Sequence, residues 1–163
     1  MDAQPRGWPA GRGKPAGEPH WIAERTFRRG DVPEVRRFAQ AFGSRAGLGG
    51  GQLTDFVLAV NEAAACAIAG RPGTARVRLC VSGARVYCEV QSDAPVTREH
   101  RTEGLPESGR RGEEEALRRQ VLRRVCDYFW VTSRPEGTRV MLTIAVRRAT
   151  RDPSGRGGMP QPR

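Results

Sequence analysis

The chain has 163 residues, a formal net charge of +10 and four cysteines. That length holds one domain with a real core, and no apolar run is long enough for a signal peptide or a membrane span. Lys14 is the only lysine, and no basic stretch interleaves with aromatics as a nucleic-acid stacking platform requires, so the arginine charge reads as high-GC codon bias rather than as a nucleic-acid footprint.

Cys66, Cys80, Cys88 and Cys126 show no CxxC spacing, and His20 and His100 fall in expected loops, so no zinc site is readable. Four reduced thiols suit a cytoplasmic protein. Residues 1–19 (MDAQPRGWPAGRGKPAGEP) and 149–163 (ATRDPSGRGGMPQPR) are Pro, Gly and charge. Such segments bury too little apolar surface to offset the entropy of ordering, so both are expected to be disordered tails around a domain at 20–148.

Residues 21–28 (WIAERTFR) alternate loosely and predict an edge strand. Asp31, ahead of Val32 and Pro33, is the expected N-cap of a first helix, with Val35, Phe38, Ala39 and Phe42 at helical spacing and Arg36, Arg37 and Gln40 toward water. That helix is expected to end near 43–47, and GLGGG (47–51) to form a flexible connection. A second helix follows from Gln52 or Thr54 to Ala69, with Leu53, Phe56, Val57, Val60, Ala64, Ala67 and Ile68 as its apolar stripe, and GRPG (70–73) stops it.

Two strands come next, joined at 82–84. Val77, Leu79 and Val81 share one face of the first; Val86, Cys88 and Val90 share one face of the second. Alternation therefore points Cys88 into the core and Cys80 away from it. Residues 92–112 have no periodicity and read as a lid, a binding loop or disorder. A third helix is predicted over 113–129, with Leu117, Val121, Leu122 and Val125 facing inward and Glu114–Arg118 and Glu115–Arg119 paired at i,i+4. Strands at 129–133 and 138–147 close the domain around Pro135, Glu136 and Gly137. The order predicts an α+β fold: a two-layer sandwich of a mainly antiparallel sheet with about three helices on one face.

Three stretches carry a family resemblance: TDFVLAVNEAAACAI, VYCEVQSDAPV and CDYFWVTSRPEGTRVMLTI. In this order they resemble the nucleotide motifs and closing hairpin of the histidine-kinase-like ATPase superfamily, the Bergerat fold. Within it the chain looks most like the small anti-sigma-factor serine/threonine kinases and related stand-alone regulators, over about residues 21–146. The resemblance implies an ATP site lined by Glu62, Cys66, Ser92, Asp93, Ala94, Gly109, Gly112, Arg118 and Thr138, with Glu62 as catalytic base.

The sequence departs from the family pattern at several of these positions. Where the family has the asparagine that holds magnesium, this chain has Cys66, and a thiol is a soft donor for a hard cation. Asn61 points about 140° away from that position on a helix. Ser92 stands at the adenine-binding aspartate and Ala94 at the following glycine, with Asp93 one residue late. Ala116 and Arg118 stand at the glycines that cradle phosphate, and the GRRG segment holding Gly109 and Gly112 is a weak substitute. Arg118 is a candidate phosphate clamp.

Each residue also has a plainer reading. Glu62 is then a partly solvated helix residue, Cys66 a small core residue, Arg118 part of a solvated helix face and Thr138 a strand former. The implied function is an ATP-binding regulatory protein with weakened or lost kinase activity and without family-type magnesium binding. If it were active, Glu62 would be the base for phosphoryl transfer to a serine of a partner. The implied partner is a sigma factor or its antagonist, and a homodimer is compatible with the reading. A catalytically dead partner-binding module and a basic nucleic-acid binder are the alternatives.

Overall fold

The computed structural model describes residues 20–68, 73–92 and 110–147. The expectations for the two tails, for most of the 92–112 loop, and for Asp93, Ala94 and Gly109 lie outside the described residues. In chain order the elements are β1 (Ala23–Arg28), α1 (Val32–Arg45), α2 (Gly50–Ile68), β2 (Thr74–Ser82), β3 (Arg85–Ser92), α3 (Arg110–Val125), β4 (Tyr128–Arg134) and β5 (Gly137–Ala145).

Every strand pairing is antiparallel, and the sheet order is β1-β2-β3-β5-β4. α1 contacts β1 and α2; α2 contacts β2, β3 and β5; α3 contacts α2 and β4. The helices thus lie side by side across one face of the sheet, the two-layer α+β sandwich that the element order predicts. The main core fills the space between the layers, from Phe56, Ala59, Val60 and Ala63 on α2 to Val77, Leu79, Cys88, Val90, Val140 and Leu142 on the sheet. Cys88 faces this core while Cys80 belongs to a separate cluster on the other side, as strand alternation predicts.

Asp31 precedes α1, but its carboxylate makes no capping bond to the helix. Its Oδ2 accepts from the Arg28 amide at 2.7 Å, so the side chain ties the end of β1 back to the helix start. α1 ends at Arg45, within the expected span of 43–47. Gly43 lies inside the helix because α2 crosses there: a Cβ at this position would meet Leu53 Cδ1 at 2.8 Å and Phe56 Cδ1 at 2.9 Å. The helix ends in a Schellman motif, with Gly47 at φ 89°, the Gly47 amide bonded to the Ser44 carbonyl at 3.1 Å and the Leu48 amide to the Gly43 carbonyl at 2.9 Å.

The glycine tract is not the flexible connection expected of it. Gly50 and Gly51 form the first turn of α2, and Leu48 is buried. Tertiary bonds hold this start in place: Gln52 Nε2 donates to the Ala145 carbonyl at 3.0 Å, and Gln52 Oε1 accepts from the Arg147 amide at 3.1 Å.

α3 begins at Arg110, three residues before its predicted start, which places Gly112 in the helix rather than in a loop. Its inward face also differs from expectation. Leu122 is fully buried, but Leu117 is 61% exposed. At 100° per residue, the direction of Leu122 is shared by positions 118 and 115, one and two turns earlier, and Leu117 falls to the side. The inward stripe of α3 is therefore Glu115, Arg118, Leu122 and Val125, the last packed against the core as expected.

Candidate functional site

Gln52 fixes the N-terminus of α2 beside Ala145, and α2 packs along β5. From Gln52 to Cys66 the helix rises about 21 Å, and from Ala145 back to Thr138 the strand spans about 24 Å. The C-terminal half of α2, with Glu62 and Cys66, thus lies above the end of the sheet that carries Ser92 and Thr138. α3 runs antiparallel beside it, so that Glu115 meets Cys66 and Arg118 meets Glu62.

Glu62 does not stand on an open surface: its side chain is 19% exposed, between α2 and α3. Oε2 lies 3.6 Å from Arg118 Nε, and Oε1 accepts from Asn61 Nδ2 at 3.2 Å. Arg118 also reaches Glu114 Oε2 at 3.7 Å along its own helix. The expected i,i+4 pairs are both present, with Arg119 Nε on Glu115 Oε1 at 3.0 Å. Arg118 is nevertheless not a solvated side chain, because it turns inward to bridge the helices.

Cys66 is buried, as its reading as a core residue requires, but its thiol is not in an apolar setting. Sγ lies 3.5 Å from Glu115 Oε2 and 3.7 Å from Oε1. Burial, reinforced by the Glu115 charge and hydrogen bond, pushes the thiol up to about 12. It therefore stays protonated at neutral pH and donates to the carboxylate. A neutral thiol whose proton is committed to a neighbour is a poor magnesium ligand. The donor set at this position does not fit the cation.

Ser92 and Thr138 are both buried on the helix-covered side. Gln91 pairs with Arg139, so Ser92 and Thr138 lie opposite one another at the next step of the ladder. Thr138 Oγ1 is 3.3 Å from Ser133 Oγ on β4. Two hydroxyls thus neighbour each other at the mouth of the β3–β5 ladder. Ala116 and Arg118 sit two turns inside α3, where their amides belong to the helix, so neither position offers bare backbone to a phosphate. Gly112 lies in the first turn.

The structure brings Glu62, Cys66 and Arg118 together across the α2–α3 contact and sets Ser92 and Thr138 at the sheet end below. Sequence reasoning missed Glu115, the partner of Cys66. The signal was present in the spacing of Glu115, Arg118 and Leu122, an i, i+3, i+7 stripe that a search for apolar residues alone passes over.

No family model matches the chain, and no curated protein matches it. Its structure is similar to the catalytic domain of the histidine kinase ThkA in a nucleotide-free form, with a TM-score of 0.42 and 11% sequence identity over 76% of this chain and 96% of that chain.

Proposed function

We propose that the chain is an ATP-binding-type regulatory domain related to the anti-sigma-factor kinases, in which phosphoryl transfer is weak or absent. The observation that carries this is the contact of α3 with α2, where Arg118 sits 3.6 Å from Glu62 and Glu115 3.5 Å from Cys66. A general base needs a free carboxylate oxygen within hydrogen-bond reach of the hydroxyl it activates. Both oxygens of Glu62 are engaged, one by Arg118 and one by Asn61. An attacking hydroxyl would have to displace one of them. Magnesium has no suitable ligand at Cys66, so no step is assigned to it.

In this reading ATP meets the hydroxyls of Ser92 and Thr138 through its base and the Arg118 guanidinium through its phosphates. The regulated partner is a protein, a sigma factor or its antagonist, as the resemblance implies. Calorimetry with ATP, with and without magnesium, tests the nucleotide part. We expect weak binding that magnesium changes by less than about twofold, and a magnesium dependence that appears in Cys66→Asn. Many-fold tightening with magnesium in the unmodified chain would overturn the proposal. A second reading, a partner-binding module that takes no nucleotide, is favoured by the same ion-pair seal, and absence of any ATP heat would select it.

A further inference from the structure

The strands sort their charges by face. From the alternation and register of the five strands, the side facing away from the helices carries Arg28, Arg76, Arg78, Arg85, Arg134 and Arg139, with Glu24, in register with Arg78, and Glu89 as its acids. The helix-covered positions of β2 to β5 carry no charge. A solvated sheet face ordinarily mixes both signs with small polar residues. This one combines arginine with Trp21, Tyr87, Tyr128, Trp130 and Met141, which cluster around Cys80.

No described helix covers this face, yet Tyr87, Met141 and Cys80 are nearly inaccessible, with Trp21, Tyr128 and Trp130 packed against them. Arg78 lies over the Trp21 ring at 4.7 Å. Glu89, itself buried, accepts from Arg78 and sits 3.8 Å from Arg139, so one carboxylate holds two guanidiniums in place. Arg76 bonds the neutral amide of Gln91 and, like Arg134, is exposed with its charge facing solvent. Between Tyr87 and Tyr128 in register lies Thr143, whose Oγ1 is the one buried side-chain oxygen or nitrogen among the described residues without a hydrogen-bond partner.

We infer that this helix-free sheet face docks an acidic segment of a partner protein. Tryptophan, tyrosine, methionine and arginine are the residues enriched in protein–protein interface cores, and lysine is depleted there. The excess of arginine selects a partner rich in carboxylates, which a guanidinium fork grips with two parallel hydrogen bonds. Single-stranded nucleic acid fits less well: stacking needs rings with an open face, whereas Tyr87 is buried and Arg78 covers Trp21. The surface lies across the sheet from Glu62 and Cys66, so it stands whether or not nucleotide binds there.

The test uses the full chain and fluorescence anisotropy with three labelled probes: a peptide of alternating Glu and Leu, its Lys and Leu counterpart, and oligo-dT of matched charge. The Glu–Leu peptide is expected to bind and the Lys–Leu peptide not. The double variant Arg76→Glu with Arg134→Glu should weaken binding at least about tenfold. The variant Arg123→Glu with Arg124→Glu, which makes the same charge change on exposed positions of α3, should weaken it less than about twofold. All four positions are exposed, so these variants are expected to keep the thermal midpoint of the parent. Equal losses in both double variants would reduce the effect to net charge and overturn the proposal. So would failure of the Glu–Leu peptide to bind, or tighter binding of oligo-dT that Arg76→Glu with Arg134→Glu abolishes, which would assign the face to nucleic acid.

Discussion

Arg118 and Glu62 are 3.6 Å apart on neighbouring helices and both are less than one-third exposed. Truncating Arg118 leaves a carboxylate with one hydrogen bond, from Asn61, in a partly desolvated cleft. Arg118→Ala is expected to cost about 1 kcal/mol, read as a lower urea midpoint at unchanged slope, because solvent still screens part of the pair. Glu89 is a harsher case, since its side chain is only 4% exposed between Arg78 and Arg139. Glu89→Ala leaves two guanidiniums facing each other without their carboxylate, and a loss of about 3 kcal/mol or more is expected in the same measurement. Cys66 and Cys126 are both pushed up to about 12, with burial the largest cause for each. At pH 8 such a thiol is thiolate to about one part in ten thousand, so Ellman's reagent should label these two only as the chain unfolds.

The helices show what local patterning determines and where it fails. α1 crosses α2 at Gly43, where a methyl group would lie 2.8 Å from Leu53 and 2.9 Å from Phe56. Gly43→Ala therefore overpacks the crossing; a loss of about 1–3 kcal/mol is expected despite the better helix propensity of alanine. On α3 the two leucines separate. Leu122→Ala should cost about 2–5 kcal/mol because Leu122 is fully buried, whereas Leu117→Ala should stay within about 0.5 kcal/mol. Apolar spacing treats both leucines alike, and only the position of α2 distinguishes them. The start of α2 is likewise set by tertiary contacts rather than by local propensity. Gly50 and Gly51 have poor helix propensity, and it is the bonds of Gln52 to the far end of β5 that hold them in the first turn.

At the scale of the molecule, the folded state protects its thiols, and this sets its response to alkali. The thiols of Cys66, Cys80 and Cys126 rise from 9.0 to about 12, 11 and 12, and that of Cys88 rises well above 9.0. Above pH 9 the unfolded chain releases these protons while the folded chain keeps them, so the unfolded state binds fewer protons and stability falls with pH. Their contribution is complete below pH 9 and is lost as pH rises toward 12. The thermal midpoint should be level through neutral pH and then drop, and replacing Cys126 with Ala should flatten part of that drop relative to its own neutral value.

The sequence by itself determined the element order, the inward faces of β2 and β3 and the antiparallel α+β architecture. Those depend on periods of two and 3.6 residues, which are local. It also placed Glu62 and Cys66 on one helix face. Only the tertiary structure decided that Arg118 and Glu115 arrive there from another helix and occupy both groups, since the distance between two side chains on separate elements is written in no local pattern. The same holds for the sheet's outer face: arginines scattered along five strands become one basic, aromatic surface only when antiparallel pairing brings alternate positions side by side.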